Sequence, residues 1–290
     1  MNFLKTLLAA LALVPALALA NEGGYPLDHA PDRSTDMAAL QNGAKLFVNY
    51  CLNCHSASAM RYNRLRDIGL TEEQIKNNLL FAGDKVGDLM KTNLAAKDAK
   101  EWFGVVPPDL SVITRAKSSE AGSGPDWIYT YLRTYYRDSS RPTGWNNALF
   151  PNVGMPHVLW ELQGQKRGAV IEEIKEVKED KSNPEKVTGF AKTEITFDEN
   201  GNRSEETEAL KEGEHHHVGS VTTLGKVVGN GKLSSAEYDT AVADLVSFLA
   251  WMGEPSQDQR KRLGGWVVMF LAFLSFLAWR LNASYWKEVK

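Results

Sequence analysis

The chain has 290 residues, 43% of them hydrophobic and 24% charged, a composition that supports a globular body of one or two domains. With 33 basic against 36 acidic residues the net charge is −3, which argues against a general nucleic-acid binder, since neutralising phosphates needs a basic surplus. Only two cysteines are present, excluding a disulfide-stapled framework and any four-cysteine zinc or iron–sulfur site.

Residues 1–20 read as a secretory signal peptide: Lys5 is their only charge, an apolar run spans Leu7 to Leu17, and Ala18-Leu19-Ala20 is a small–x–small cleavage pattern before Asn21. An uncleaved anchor is the alternative, but the run is short and Pro15 interrupts it. Residues 21–33 are an extended lead-in. Ser34, Thr35 and Asp36 then offer caps for a helix running to about Tyr50, with Met37, Leu40, Ala44, Phe47 and Val48 at helical spacing.

That helix delivers the chain to Cys51-Leu52-Asn53-Cys54-His55, the C-x-x-C-H pattern of covalent haem attachment. Two thiols three positions apart can each add to a haem vinyl group, and the following imidazole lies in position to bind the iron. A structural disulfide, a thioredoxin-like redox pair and a zinc site compete. The redox pair lacks its βαβ setting, and zinc lacks further cysteine ligands.

Farther on, a helix is expected from Thr71 to Leu80, with Glu72 and Glu73 in its first turn. Pro107-Pro108-Asp109-Leu110-Ser111 is a restricted loop in which Pro108 would lie near a cofactor. Arg115 beyond it either pairs with a haem propionate or is a surface arginine after a turn. An aromatic helix is expected over Asp126–Tyr136, carrying Trp127, Tyr129, Tyr131, Tyr135 and Tyr136.

A haem bound through His55 needs a sixth ligand or an open site. The candidates are His29, Met60, Met90, Met155, His157 and Met252. Met60 is too near His55 in sequence to cross to the opposite haem face, and Met252 falls on an apolar helix stripe. Met155, between Gly154 and Pro156 in a rigid irregular loop, stands ahead of His157.

From Glu161 the chain turns densely charged and mostly acidic. Turns at Asn183-Pro184, Asn200-Gly201 and Lys211-Glu212-Gly213 and β-like runs such as Thr193–Phe197 suggest a hairpin-bearing insertion. His215-His216-His217 reads as a solvated loop feature rather than a metal tract. A Gly-rich stretch, Val218–Lys232, precedes a Ser234-x-x-Glu237 capping box and a last helix with Ala241, Leu245, Phe248, Leu249 and Met252 on one face, ended by Gly253 and Pro255.

Leu263 to Trp279 is free of charge and spans roughly 25 Å as a helix. Snorkelling by Arg280 extends it to Ala283, and Trp266, Trp279, Tyr285 and Trp286 flank it as interfacial rings. One transmembrane anchor follows. Flanking positive charges are balanced, so the signal peptide sets the orientation: body outside the cytoplasm, short tail inside.

The ordered set of motifs resembles the cytochrome c1 family, the haem subunits of ubiquinol–cytochrome c oxidoreductase, in its proteobacterial form. The resemblance rests on Gly23-Gly24, Cys51–His55, Pro107–Ser111 with Arg115, Arg141-Pro142-Thr143-Gly144-Trp145, Gly154-Met155-Pro156, Gly253-Glu254-Pro255 and Arg260-Lys261-Arg262. It implies one covalent haem c per chain, held by Cys51 and Cys54, with His55 and Met155 as axial iron ligands and Arg115 on a propionate. Trp127 departs from the family's frequent Tyr.

The implied fold is mainly α: a cytochrome c-like haem domain whose first and last helices pack across each other, with a charged, partly β insertion and one C-terminal transmembrane helix. The division expected is signal peptide 1–20, haem-binding region 21–160, insertion 161–233, last helix 234–254, anchor 263–283 and cytoplasmic tail 284–290.

The resemblance further implies a non-catalytic electron carrier within an enzyme complex. It would take one electron from a Rieske iron–sulfur subunit and pass it to a soluble or membrane-bound cytochrome c. Cytochrome b and the lipid bilayer are further partners, nucleic acid is not one, the complex is dimeric, and the haem domain is periplasmic on the bacterial inner membrane. The acidic stretch Glu172–Glu214 could steer a basic cytochrome c or simply be solvated. The rivals are a cytochrome c subunit of a terminal oxidase, an open-site haem sensor or peroxidase, and a structural membrane protein with an incidental disulfide.

Overall fold

The computed structural model describes residues 25–177, 189–210, 218–229 and 231–287. The expected signal peptide, Gly23-Gly24, the turns expected at Asn183-Pro184 and Lys211–Gly213, the His215–His217 tract and residues 288–290 lie outside them. The chain falls into two compact units. One holds Ala30–Ser118, Ser123–Ile128 and the chain from Asp239 on; the other holds Tyr25–His29, Ser119–Gly122 and Tyr129–Tyr238.

The first unit is helical. Helix α1, Met37–Leu46, starts at Asp36, whose carboxylate accepts from the Ala38 and Ala39 amides at 3.0 and 3.2 Å. Instead of continuing regularly to Tyr50, the chain widens into a π-helical turn over Phe47–Cys51. Two short strands, β1 (Ala57–Arg61) and β2 (Leu89–Met90), pair antiparallel. Between them lie a 3₁₀ stretch, Tyr62–Ile68, and helix α2, Glu72–Asn78, opened by a complete Thr71–Gln74 capping box. Helices α3, Ala96–Phe103, and α4, Ile113–Ala116, follow.

Helix α5, Gly124–Arg133, and helix α7, Ser235–Gly253, each contribute residues to both units. In the first unit α1 and α7 cross at Gly43: a Cβ there would lie 2.2 Å from the Asp244 backbone oxygen. Phe47 and Phe248 pack at the crossing, ring centroids 5.7 Å apart. Ala241 to Leu249 are all buried, so α7 is enclosed all round rather than along one stripe. The buried Asp244 carboxylate accepts from Arg33 Nη1 at 2.6 Å and Asn42 Nδ2 at 2.8 Å. Desolvation still outweighs these partners and raises its pKa.

Helix α8, Gln257–Tyr285, is 29 residues long and is the one described helix apolar and long enough to cross a membrane, with mean hydropathy 1.6 over its best window and none of that window buried.

The second unit contains more strand than expected. Tyr135 and Tyr136 leave the helix one turn earlier than the aromatic pattern suggests. Strand β3, Tyr135–Arg137, pairs antiparallel with β4, Trp145–Asn147, because aromatic side chains following Thr134 suit a pleated ladder. Helix α6, Trp160–Gln163, precedes a four-stranded antiparallel sheet of β5 (Ala169–Val177), β6 (Gly189–Phe197), β7 (Arg203–Ala209) and β8 (Gly219–Leu224) in the order β7-β6-β5-β8. The expected run Thr193–Phe197 is the end of β6. At one end of the sheet Tyr136, Ala169 and Phe197 form a core with Ile171, Ile195 and Leu224 packed against it.

Candidate functional site

The first unit assembles most of the expected site. The π-helical turn carries Cys51, and tight bonds continue from it: Cys54 and His55 amides both donate to the Cys51 carbonyl, at 3.1 and 2.8 Å. Both cysteines are free thiols. Burial pushes the Cys51 thiol up to about 12 and raises that of Cys54, so both are protonated thiols rather than thiolates.

His55 is held by the second motif. Its Nδ1 lies 2.7 Å from the Pro108 carbonyl oxygen. A carbonyl only accepts, so Nδ1 carries the proton and the Nε2 lone pair is left for a metal. Burial lowers the His55 pKa, against the Pro108 bond and the Asp109 charge, which raise it, and favours the neutral ligating form.

The Pro107–Ser111 segment is itself stitched to the chain after His55. Leu110 N donates to Ser56 O at 2.8 Å, and the Asp109 carboxylate accepts from the Ser58 and Ser111 amides, both at 2.8 Å. Ser111 Oγ accepts from Ala59 N at 3.0 Å. Burial works against ionisation of Asp109, but the hydrogen bonds from Ser111 and Ser58 win and hold its carboxyl low.

On either side of the Pro107–Ser111 segment in sequence, large apolar side chains are uncovered: Trp102 is 65% exposed, Val105 54% and Val112 51%. Such a concentration calls for a covering group. Two free thiols and an imidazole with its outer nitrogen fixed fit a covalently held haem.

Arg115 on α4 is exposed and donates from Nη1 to Glu254 Oε2 at 2.8 Å. Arg260 grips the same carboxylate through Nε at 2.5 Å and Nη2 at 3.0 Å. The Arg260 bond first, and the Arg115 bond after it, lower the Glu254 pKa. Near Arg115, Lys117 Nζ lies 4.2 Å from the centre of the Trp127 ring.

Met155 lies in the second unit, half-buried against the cluster Tyr135, Trp145 and Val153. Of the other candidate sixth ligands, Met60, Met90 and Met252 are buried in protein packing, and His29 is exposed. His157, 1% exposed, stacks on Tyr135 at 4.8 Å, meets Trp145 edge-on at 4.9 Å and bonds Gln163 Oε1 through Nε2 at 2.7 Å. Desolvation lowers its pKa to about 4, and its role in this packing is that of a neutral wedge.

Several site-building residues escape a sequence reading. Asp109 and Ser111 were legible only as members of the restricted Pro107–Ser111 loop, without the hydrogen bonds they make. Glu254 stands in the Gly253-Glu254-Pro255 motif, but its arginine partners, like the bonds of Asn146 and Asn147, show only in three dimensions.

A profile of the Cytochrome C1 family matches residues 29–180 and 226–289. The gap between the matched segments carries β6, β7 and β8. The chain is 43% identical to "Cytochrome c1" of Allochromatium vinosum, over 98% of this chain and 99% of that protein. It is 38% identical to "Ammonia monooxygenase gamma subunit" of Nitrosomonas europaea over the whole of both chains. It is 26% identical to "Cytochrome c1" of Rhodospirillum rubrum, over 100% and 99%. With a profile matched on both sides of β6–β8 and relatives aligned end to end, the chain belongs to the cytochrome c1 family.

Proposed function

We propose that this chain is the haem-carrying, membrane-anchored electron-transfer subunit of a ubiquinol–cytochrome c oxidoreductase. The observation that carries the reading is the His55–Pro108 pair set beside two free thiols, in a chain of this family. Bound haem c would supply a one-electron iron couple.

The chain's own residues do the rest. Cys51 and Cys54 hold one haem through thioether bonds. His55 presents Nε2 while Pro108 keeps the proton on Nδ1, and Met155 supplies a thioether that favours the reduced state. Arg115 faces a propionate, a role in which that carboxylate competes with Glu254. Electrons arrive from a Rieske iron–sulfur subunit and leave to a soluble or membrane-bound cytochrome c. Cytochrome b shares the bilayer, in a dimeric complex.

Removal of residues 1–20 leaves the haem region (21–160), the insertion (161–233) and the last helix (234–254) in the periplasm. The anchor (263–283) crosses the inner membrane and 284–290 form the cytoplasmic tail.

Purification of the chain from its own membranes in mild detergent, with a haem and iron–sulfur inventory, tests the reading. A covalent haem accompanied by b-type haems and a Rieske-type cluster is the expected result. The printed name of the 38% identical relative favours a second reading, a monooxygenase subunit. Ammonia-dependent oxygen uptake by the purified assembly, with no quinol–cytochrome c activity, would select it.

A further inference from the structure

The motif Arg141-Pro142-Thr143-Gly144-Trp145, with Asn146 and Asn147 after it, has no part in the chemistry above, yet its side chains converge on the loop that carries Met155. Gly144 N bonds Arg141 O at 2.9 Å, closing a tight turn with Pro142 in its second position. Strand β4 then places Asn146 and Asn147 in the interior, 6% and 0% exposed.

Asn147 uses both ends of its amide. Nδ2 donates to Tyr131 O at 2.8 Å, and Oδ1 accepts from the Leu149 and Phe150 amides, both at 3.0 Å, which open the loop. Asn146 Oδ1 accepts from Asn152 N at 2.8 Å. Arg141 Nη2 donates to Asn152 O at 2.9 Å. Asn152 itself has φ 61°, a left-handed backbone that asparagine tolerates better than most residues. At the far end, the Tyr135 hydroxyl lies 2.8 Å from the Tyr131 hydroxyl and 3.2 Å from the Met155 carbonyl, and with Tyr131 donating to it its single proton serves the carbonyl.

We propose that Asn147 and Tyr135 are positioning residues for the Met155 thioether, fixing the two ends of its loop so that the sulfur is presented rather than free to swing away. The inference rests on the reading of Met155 as the sixth iron ligand.

The test uses the full chain, matured in its own membranes, with Tyr135→Phe, Asn147→Ala and Asn147→Asp. Tyr135→Phe removes one hydroxyl and keeps the ring stacked on His157. Asn147→Asp keeps the acceptor for Leu149 and Phe150. Four quantities are read: covalent haem content, the ferric thioether-to-iron absorption band, the midpoint potential, and carbon monoxide binding by the ferrous protein.

We expect Tyr135→Phe and Asn147→Ala to load haem normally yet lose intensity in the thioether band, fall in potential and gain carbon monoxide binding. Asn147→Asp should recover most of the band. Variants that load haem, melt at a lower temperature and keep band and potential unchanged overturn the inference while leaving Met155 as ligand. If Asn147→Ala does not accumulate, Tyr135→Phe alone decides. An unaltered chain with no thioether band, unchanged by Met155→Leu, overturns the ligand reading itself and this inference with it.

Discussion

Glu254 shows how one side chain can couple distant parts of a sequence. It accepts from Arg115 on α4 and from Arg260 at the start of α8, and both bonds favour its ionised form. A carboxyl whose folded pKa is depressed contributes stability that is complete above its unfolded value, about 4.3, and is lost as pH falls through the folded value. The melting temperature of the detergent-solubilised chain should therefore fall on acidification below about pH 4.3, and Glu254→Gln should flatten that part of the profile. An identical acid limb in the variant would show that Glu254 contributes nothing to it. The same substitution also frees Arg115 for another carboxylate, such as the propionate assigned to it.

Among the elements, the α1–α7 crossing depends on a missing side chain. Gly43 allows the backbone of α1 to reach that of α7, and Gly43→Ala must push the helices apart against packed Phe47 and Phe248. Destabilisation of about 1–3 kcal/mol is expected, read as a lower denaturant midpoint. Gly87→Ala, which meets nothing within 4 Å, should stay within about 0.5 kcal/mol.

Helices of this kind were legible in the sequence. Asp36, Thr71 and Ser234 are caps whose partners lie within three residues, so local chemistry decides them. The C-x-x-C-H motif and the Pro107–Ser111 loop were likewise legible as chemistry, although the bond joining them spans 53 positions and shows only in three dimensions. Strands β7 and β8 were not legible. Arg203–Ala209 is exposed along its whole length, without the apolar alternation that betrays a strand, and it extends only because β6 offers a ladder. Tyr135 and Tyr136 read as helix for the same reason in reverse: the partner strand that claims them lies ten residues on.

The sheet register adds a consequence. Glu172, Glu194 and Glu206 sit directly opposite one another across β5, β6 and β7, a row of like charges that opposes the sheet. Lys192 relieves it at one point, 2.9 Å from Glu172. If this row steers a basic cytochrome c, Glu194→Gln with Glu206→Gln should weaken the salt dependence of its reduction rate. An unchanged salt dependence would leave the row as a solvated face. Glu194 and Glu206 lie between the family-matched segments, whereas Glu172 lies within the first of them.

Across the whole molecule, the described chain ends in a helix that nothing among the described residues covers. Its apolar residues from Leu263 on face outward on all sides, including Trp266 at 71% and Trp279 at 63% exposure. An enclosed soluble helix would hide these rings, as α7 hides Phe248 and Leu249. The chain should remain in the membrane pellet through high-salt and alkaline washes and be released only by detergent. Release by salt alone would mean that α8 rests on a protein partner instead of crossing lipid. The span and its flanking aromatics were readable directly, because composition and length suffice there.

The imidazole of His55 is oriented by a peptide carbonyl, and that choice has an evolutionary consequence. A carboxylate in the same place could be lost by one base change; the carbonyl of Pro108 belongs to every residue type and survives any replacement at that position. Heritable variation can reach the hydrogen bond only by moving the backbone, through Asp109 and Ser111, whose side chains fasten it to Ser58 and Ala59. The contact is thus buffered against its own codon and exposed to those of its neighbours, where lineages adjusting the basicity of this histidine have room to drift.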